Sequence, residues 1–63
     1  MNPDEILREK ILEMLKNDFS ELQEAVSEIM KAKDNLDKEK LGKAYFAVQK
    51  IQMELYRLVS FIS

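Results

Sequence analysis

Lys33-Asp34-Asn35-Leu36-Asp37 separates two stretches of the chain that share the same repeat of apolar residues. The segment is polar apart from Leu36, and Asp37 is a residue type that caps a helix by accepting a hydrogen bond from a backbone N–H. A turn of about four residues between two long repeats brings the second one back along the first. The sequence therefore predicts an all-α antiparallel two-helix hairpin, with helices over about residues 3–32 and 37–62.

The stretch before the turn has both the start signal and the periodicity of a helix. Asn2 is a favourable N-cap, Pro3 suits the first helical position, and Glu5 stands three residues after the cap. The apolar residues that follow are alternately three and four residues apart, which is the heptad spacing of a coiled-coil seam. This first seam consists of Leu12, Leu15, Phe19, Leu22, Val26 and Ile29.

The stretch after the turn continues the same spacing to its end. Its seam consists of Leu41, Ala44, Val48, Ile51, Leu55, Leu58 and Ile62. Two helices that contact only each other bury a narrow stripe, and here further apolar residues stand beside the seam. They are Tyr45, Ala47, Val59 and Phe61. This excess predicts that a second surface of the hairpin is covered.

The length and composition of the chain favour self-association. With 63 residues and neither cysteine nor histidine, it has no disulfide or ordinary zinc site to support a marginal core. We expect one domain, residues 1–63, that forms a homodimeric four-helix bundle, since twofold dimers are the commonest oligomers. The predicted oligomer interface is Leu12, Leu15, Phe19, Leu22, Val26, Ile29, Leu41, Val48, Ile51, Leu55, Leu58 and Ile62.

The outer side of the second helix carries a basic stripe with apolar groups beside it. Lys43, Lys50 and Arg57 recur every seven residues, and further side chains flank them. Such a stripe could receive a helix of another protein or grip nucleic acid. Alternatively, its apolar members fill gaps in a larger bundle. The candidate partner face is Lys43, Phe46, Gln49, Lys50, Met53, Tyr56 and Arg57.

The length, the short turn and the paired heptads together resemble the Rop family of plasmid copy-control proteins. That resemblance implies a hairpin that dimerises into a four-helix bundle and binds RNA hairpins. It covers the whole chain in architecture but rests on no shared residue motif, so it transfers no functional residues. Two-helix co-chaperones of secretion systems have the same outline and hold helices of their partners.

The residue types argue against catalysis and against several kinds of ligand. Without histidine or cysteine, the usual general base and thiolate nucleophile are missing. We expect no cofactor and no metal, because the ladder Glu5, Glu9 and Glu13 is typical of a solvated helix face. Asp18, beside the first seam, is interpreted as a rim residue or as a group that fixes helix register. Gly42 is interpreted as permitting close helix packing.

The charge balance and the ends of the chain bear on location and partners. The net charge of -2 gives no general attraction to nucleic acid or to an anionic membrane. The acidic N-terminus lacks the pattern of a secretory signal, so we expect a cytoplasmic protein without a membrane partner. A non-enzymatic interaction module of the adaptor, co-chaperone or scaffold type is therefore favoured. A Rop-like RNA- or DNA-binding regulator is the alternative, and an enzyme or metal-binding bundle is a third hypothesis.

Overall fold

The computed structural model describes residues 2–62 and contains two helices packed against each other. Helix α1 spans Pro3–Ala32 and helix α2 spans Lys38–Ser60. The predicted all-α antiparallel hairpin is thereby confirmed. The predicted domain, residues 1–63, also includes Met1 and Ser63, which lie outside the described residues.

Both helices begin at the caps that the sequence predicts. The Asn2 side chain accepts a hydrogen bond of 3.0 Å from the Asp4 N–H. The Asp37 side chain accepts one of 2.8 Å from the Lys40 N–H, and its second oxygen lies 3.2 Å from Lys40 Nζ. The bond from the Lys40 N–H is the main reason that the pKa of Asp37 lies below its ordinary value. Asp37 is thus the cap, and α2 begins at Lys38, one residue later than the predicted start.

The C-terminal ends of α1 and α2 differ in their backbone geometry. Helix α1 ends at Ala32. The φ of the next residue, Lys33, is 52°, in the region that favours glycine, and its N–H still donates to the Ile29 carbonyl. Helix α2 ends at Ser60, two residues before the predicted end. There the N–H groups of Phe61 and Ile62 donate to carbonyls three residues back, so the last turn is tighter than an α-helix.

The contact line between the helices is formed by side chains that are buried or half-buried and recur at heptad spacing. It contains Leu15, Leu22 and Ile29 from the first predicted seam and Ala44, Ile51 and Leu58 from the second. The other predicted seam residues are exposed. The contact line is also less apolar than the predicted seam. Its further members are Ile11, Asp18, Ala25 and Ala32 on α1, Lys40, Ala47 and Glu54 on α2, and Phe61 directly after α2.

The hairpin is elongated and has a small core. It measures 49 × 18 × 14 Å, and its radius of gyration of 14.7 Å exceeds the value of about 10.6 Å expected for a compact domain of this length. Ile11, Ala25 and Ala47 are the buried apolar residues among those described. A Cβ added to Gly42 would meet no atom within 4 Å, so the close packing predicted for this glycine does not occur within the hairpin.

Candidate interaction surfaces

One side of the hairpin is covered by large apolar side chains. In α1 they follow the contact-line residues Ile11, Asp18 and Ala25 by one position. In α2 they follow Lys40, Ala47, Glu54 and Phe61 in the same way. Because both helices are right-handed and run antiparallel, a step of one residue turns both rows towards the same side. This apolar face consists of Leu12, Phe19, Val26, Leu41, Val48, Leu55 and Ile62.

The apolar face is open to solvent in the hairpin. The exposed fraction of its side chains ranges from 39% for Val48 to 86% for Ile62. The accessible surface of the chain is 5379 Å², whereas a compact protein of its mass, 7.4 kDa, exposes about 4,200 Å². The excess of about 1,200 Å² is comparable with the roughly 800 Å² that each partner buries in a standard interface.

The residues of the predicted oligomer interface fall into two groups by burial. The members of the apolar face are exposed, and the remaining members are half-buried in the contact line at its edge. That second group is Leu15, Leu22, Ile29, Ile51 and Leu58. The predicted interface residues of both helices therefore lie on one side of the hairpin and in the contact line at its edge.

The opposite side, which we call the polar face, is held by ion pairs around Lys50. The Nζ atom of Lys50 lies 3.0 Å from Glu21 Oε2 and 3.5 Å from Asp18 Oδ1. The hydrogen bond to Glu21 is the main reason that the pKa of Lys50 is raised. A cleft of about 310 Å³ adjoins this cluster, lined by both helices. Its lining residues are Met14, Asn17, Asp18, Lys50, Met53, Glu54 and Arg57.

Glu54 is the buried acidic group of the polar face. Its side chain is 4% exposed, and its Oε1 atom is buried without a hydrogen-bond partner. Removal from water raises the pKa of Glu54 to about 7, with a further contribution from the neighbouring carboxyl group of Asp18. Lys50 and Arg57 oppose the shift through their positive charges. A carboxyl group in this environment holds its proton close to neutral pH.

The candidate partner face occupies the outer surface of α2 and the adjoining edge of the polar face. Its apolar members are well exposed, at 66% for Phe46, 60% for Met53 and 79% for Tyr56. A shallow groove runs along Gln49, Gln52, Met53, Tyr56 and Arg57. Four of its predicted residues are thus brought together in one groove: Gln49, Met53, Tyr56 and Arg57.

The basic stripe within this face is not uniform. Lys50 turns towards α1 and is paired with two carboxylates, as described above. Lys43 and Arg57 form no ion pair with any residue between Asn2 and Ile62. The stripe of three cations predicted from the sequence therefore presents two unpaired positive charges.

The acidic ladder of α1 does not converge into a metal site. Glu5, Glu9 and Glu13 are exposed, and within residues 2–62 no three acidic side chains are grouped as metal ligands. Neither α1 nor α2 is long and apolar enough to cross a membrane.

Glu54 is the residue of interest that sequence reasoning missed. Hydropathy alone assigns it to the solvated side of α2. Its position gives a usable signal, because Lys40, Ala47, Glu54 and Phe61 form a heptad row. The row Ile11, Asp18, Ala25 and Ala32 has the same spacing in α1, with one acidic member. Two such rows, each with small or apolar residues and one acidic residue, could have indicated a contact line to which each helix contributes one acid.

Comparison with known proteins gives one family. The family model described as Sulfolobus spindle-shape virus 1, protein D-63, matches residues 3–60. No solved structure matches the chain.

Proposed function

The chain belongs to the family of Sulfolobus spindle-shape virus 1, protein D-63, and we propose that it is a non-enzymatic interaction module that self-associates through its apolar face. In the resulting bundle, the outer surface of α2 is presented to a protein partner. Such a module acts as an adaptor, co-chaperone or scaffold. The cytoplasmic location stays a prediction from the sequence.

The observation that carries the proposal is the uncovered apolar face. Burying it against a second copy removes apolar surface from water, which favours association by about 25 cal/mol per Å² before the entropic costs are counted. A second copy is the natural occupant, because the face has rows from both helices and a twofold pair brings identical faces together. Four helices then enclose a larger core than the hairpin has alone.

Self-association is tested by light scattering and circular dichroism across a hundredfold dilution. We expect a stable molar mass near twice 7.4 kDa, with helicity maintained. A fully helical monomer at every concentration would contradict self-association through the apolar face. A monomer that loses helicity on dilution would instead indicate that a different protein covers this face.

The partner-binding role rests on the exposed side chains of α2. Phe46 and Met53 lie away from the apolar face, so a dimer formed through that face leaves them accessible. We expect Phe46→Ala and Met53→Ala to weaken capture of a protein partner while the molar mass stays unchanged. Loss of helicity in either variant would place the residue in a core and remove the proposed partner surface.

The Rop-like RNA- or DNA-binding alternative depends on Lys43, Lys50 and Arg57. Because Lys50 is paired with Asp18 and Glu21, the stripe has less free positive charge than that role favours. Binding to RNA or DNA at low salt that weakens steeply as salt is added, and that Lys43→Gln or Arg57→Gln reduces, would favour this alternative over a protein partner.

A further inference from the structure

Two acidic side chains of the contact line, Asp18 and Glu54, line the same cleft between the helices. Asp18 of α1 has a side chain that is 14% exposed, and Glu54 of α2 is 4% exposed. They occupy equivalent places, each seven residues from a buried alanine, Ala25 or Ala47. Two ionised carboxylates that line one cleft and are this poorly solvated repel each other, so the pair favours a state with fewer negative charges.

The charges around the pair come from both helices. On α1, Glu21 faces the cluster beside Asp18. On α2, Lys50 and Arg57 flank Glu54. Lys50 is drawn towards Asp18 and Glu21, at 3.5 and 3.0 Å, and it makes no ion pair with Glu54. Within residues 2–62, Glu54 therefore forms no ion pair, and its Oε1 atom receives no hydrogen bond.

We propose that Asp18 and Glu54 share one proton in the closed hairpin and that release of this proton loosens the packing of α1 against α2. The protonated carboxyl group donates a hydrogen bond to the carboxylate of its neighbour, which satisfies the buried oxygen and removes one negative charge. When the proton leaves, both groups are ionised between helices that exclude water. The pair is thus a pH-sensitive latch in the contact line, separate from the apolar face.

The pKa of Glu54, which rises from 4.5 to about 7 on folding, determines in which direction pH changes the stability of the hairpin. Between these values the folded chain binds more protons than the unfolded chain, so folding is favoured at the lower pH. The stability that this proton supplies is lost as the pH rises through the folded pKa. The folding equilibrium constant should fall by up to about tenfold per pH unit within this range.

The test compares the wild-type chain with Glu54→Gln by urea unfolding between pH 5 and 8, at one fixed chain concentration because any assembly also depends on concentration. The glutamine has nearly the same shape, and its amide N–H can donate to Asp18 without titrating. We expect the wild type to lose stability as the pH rises and Glu54→Gln to be almost independent of pH. Glu24→Gln, at an exposed position of α1, is the matched control and should keep the wild-type slope.

A direct titration keeps the proposal testable if a variant fails to fold. The side-chain carboxyl carbon of Glu54, followed by NMR in the wild-type protein, should titrate near neutral pH. A midpoint near 4.5, or a stability slope that persists in Glu54→Gln, would overturn the shared proton. A titration of Glu54 near neutral pH that leaves amide hydrogen exchange along the contact line unchanged over the same pH range would overturn the latch.

Discussion

The apolar face and the polar face flank the same contact line, yet each lacks something different. The apolar face presents seven large side chains whose exposed fraction ranges from 39% to 86%. The polar face has its own partners in the ion pairs of Lys50, and what it lacks is a donor for the buried oxygen of Glu54. The proposed self-association and the proposed proton binding therefore depend on opposite sides of the molecule. Mutations should therefore separate them.

The largest expected effect comes from a charge on the apolar face. Phe19→Glu places a carboxylate among apolar side chains that we expect to be covered by a second copy, where an unpaired charge is costly to bury. The side chain of Phe19 is 52% exposed in the hairpin, so the single chain tolerates the change. We expect the molar mass by light scattering to fall from two copies to one.

Phe46→Glu is the matched control, since it makes the same substitution on the outer side of α2. Phe46 is 66% exposed and lies away from the apolar face. Its variant should keep the mass of two copies. If Phe46→Glu dissociates the protein and Phe19→Glu does not, the two surfaces have exchanged roles and the interface lies on the outer surface of α2.

A smaller effect is expected from Lys50→Met on the polar face. The change removes the cation shared by Asp18 and Glu21 while keeping the length of the side chain. It also removes a positive charge that opposes the rise in the pKa of Glu54. We expect Tm to fall by a few degrees, the NMR midpoint of Glu54 to move further upward, and the molar mass to stay the same.

Lys43→Met is the control for this comparison, because Lys43 occupies the equivalent heptad position without an ion pair within residues 2–62. It should leave Tm and the midpoint of Glu54 nearly unchanged. Equal effects of the two substitutions would mean that net charge, and not the cluster on the polar face, governs the titration.

The smallest effect is expected at Gly42, which belongs to neither face's set of residues. An alanine there meets no atom within 4 Å, and alanine is favoured over glycine inside a helix by about 1 kcal/mol. Gly42→Ala should therefore raise the free energy of unfolding by roughly this amount, measured by urea denaturation. A loss of stability that grows with chain concentration would show that another copy packs closely against this part of α2.

Most of the fold could be predicted from local signals in the sequence. Asn2 and Asp37 are caps because their short polar side chains satisfy free N–H groups, and the spacing of apolar residues identifies two helices. The end of α2 was less predictable. Ile62 continues the apolar spacing, so hydropathy extended the helix, whereas the hydrogen bonds shift to three-residue spacing after Leu58.

The contact line could be predicted only in part, because hydropathy does not say which of two apolar stripes faces which neighbour. Leu15 and Ile51 were correctly placed in a seam, but Phe19 and Val48 lie one position beyond the contact line, on the apolar face. Large apolar residues attract assignment to the core, while Ala47 and Glu54 do not. A small alanine in the contact line allows the helices to approach closely. At such positions the volume of the side chain matters more than its hydropathy, because the two helices must pack closely against each other.

The cap at Asp37 implies that acid also destabilises the hairpin, at a lower pH than the range in which Glu54 loses its proton. Its lowered pKa means that the cap stabilises the fold above the ordinary value of 3.8 and is lost as acid protonates it. Acidification should therefore fray the first turn of α2, where the chain reverses. A rise towards neutrality loosens the middle of the contact line instead. Proteolysis in acid should consequently begin beside the turn, leaving the two helices as separate fragments.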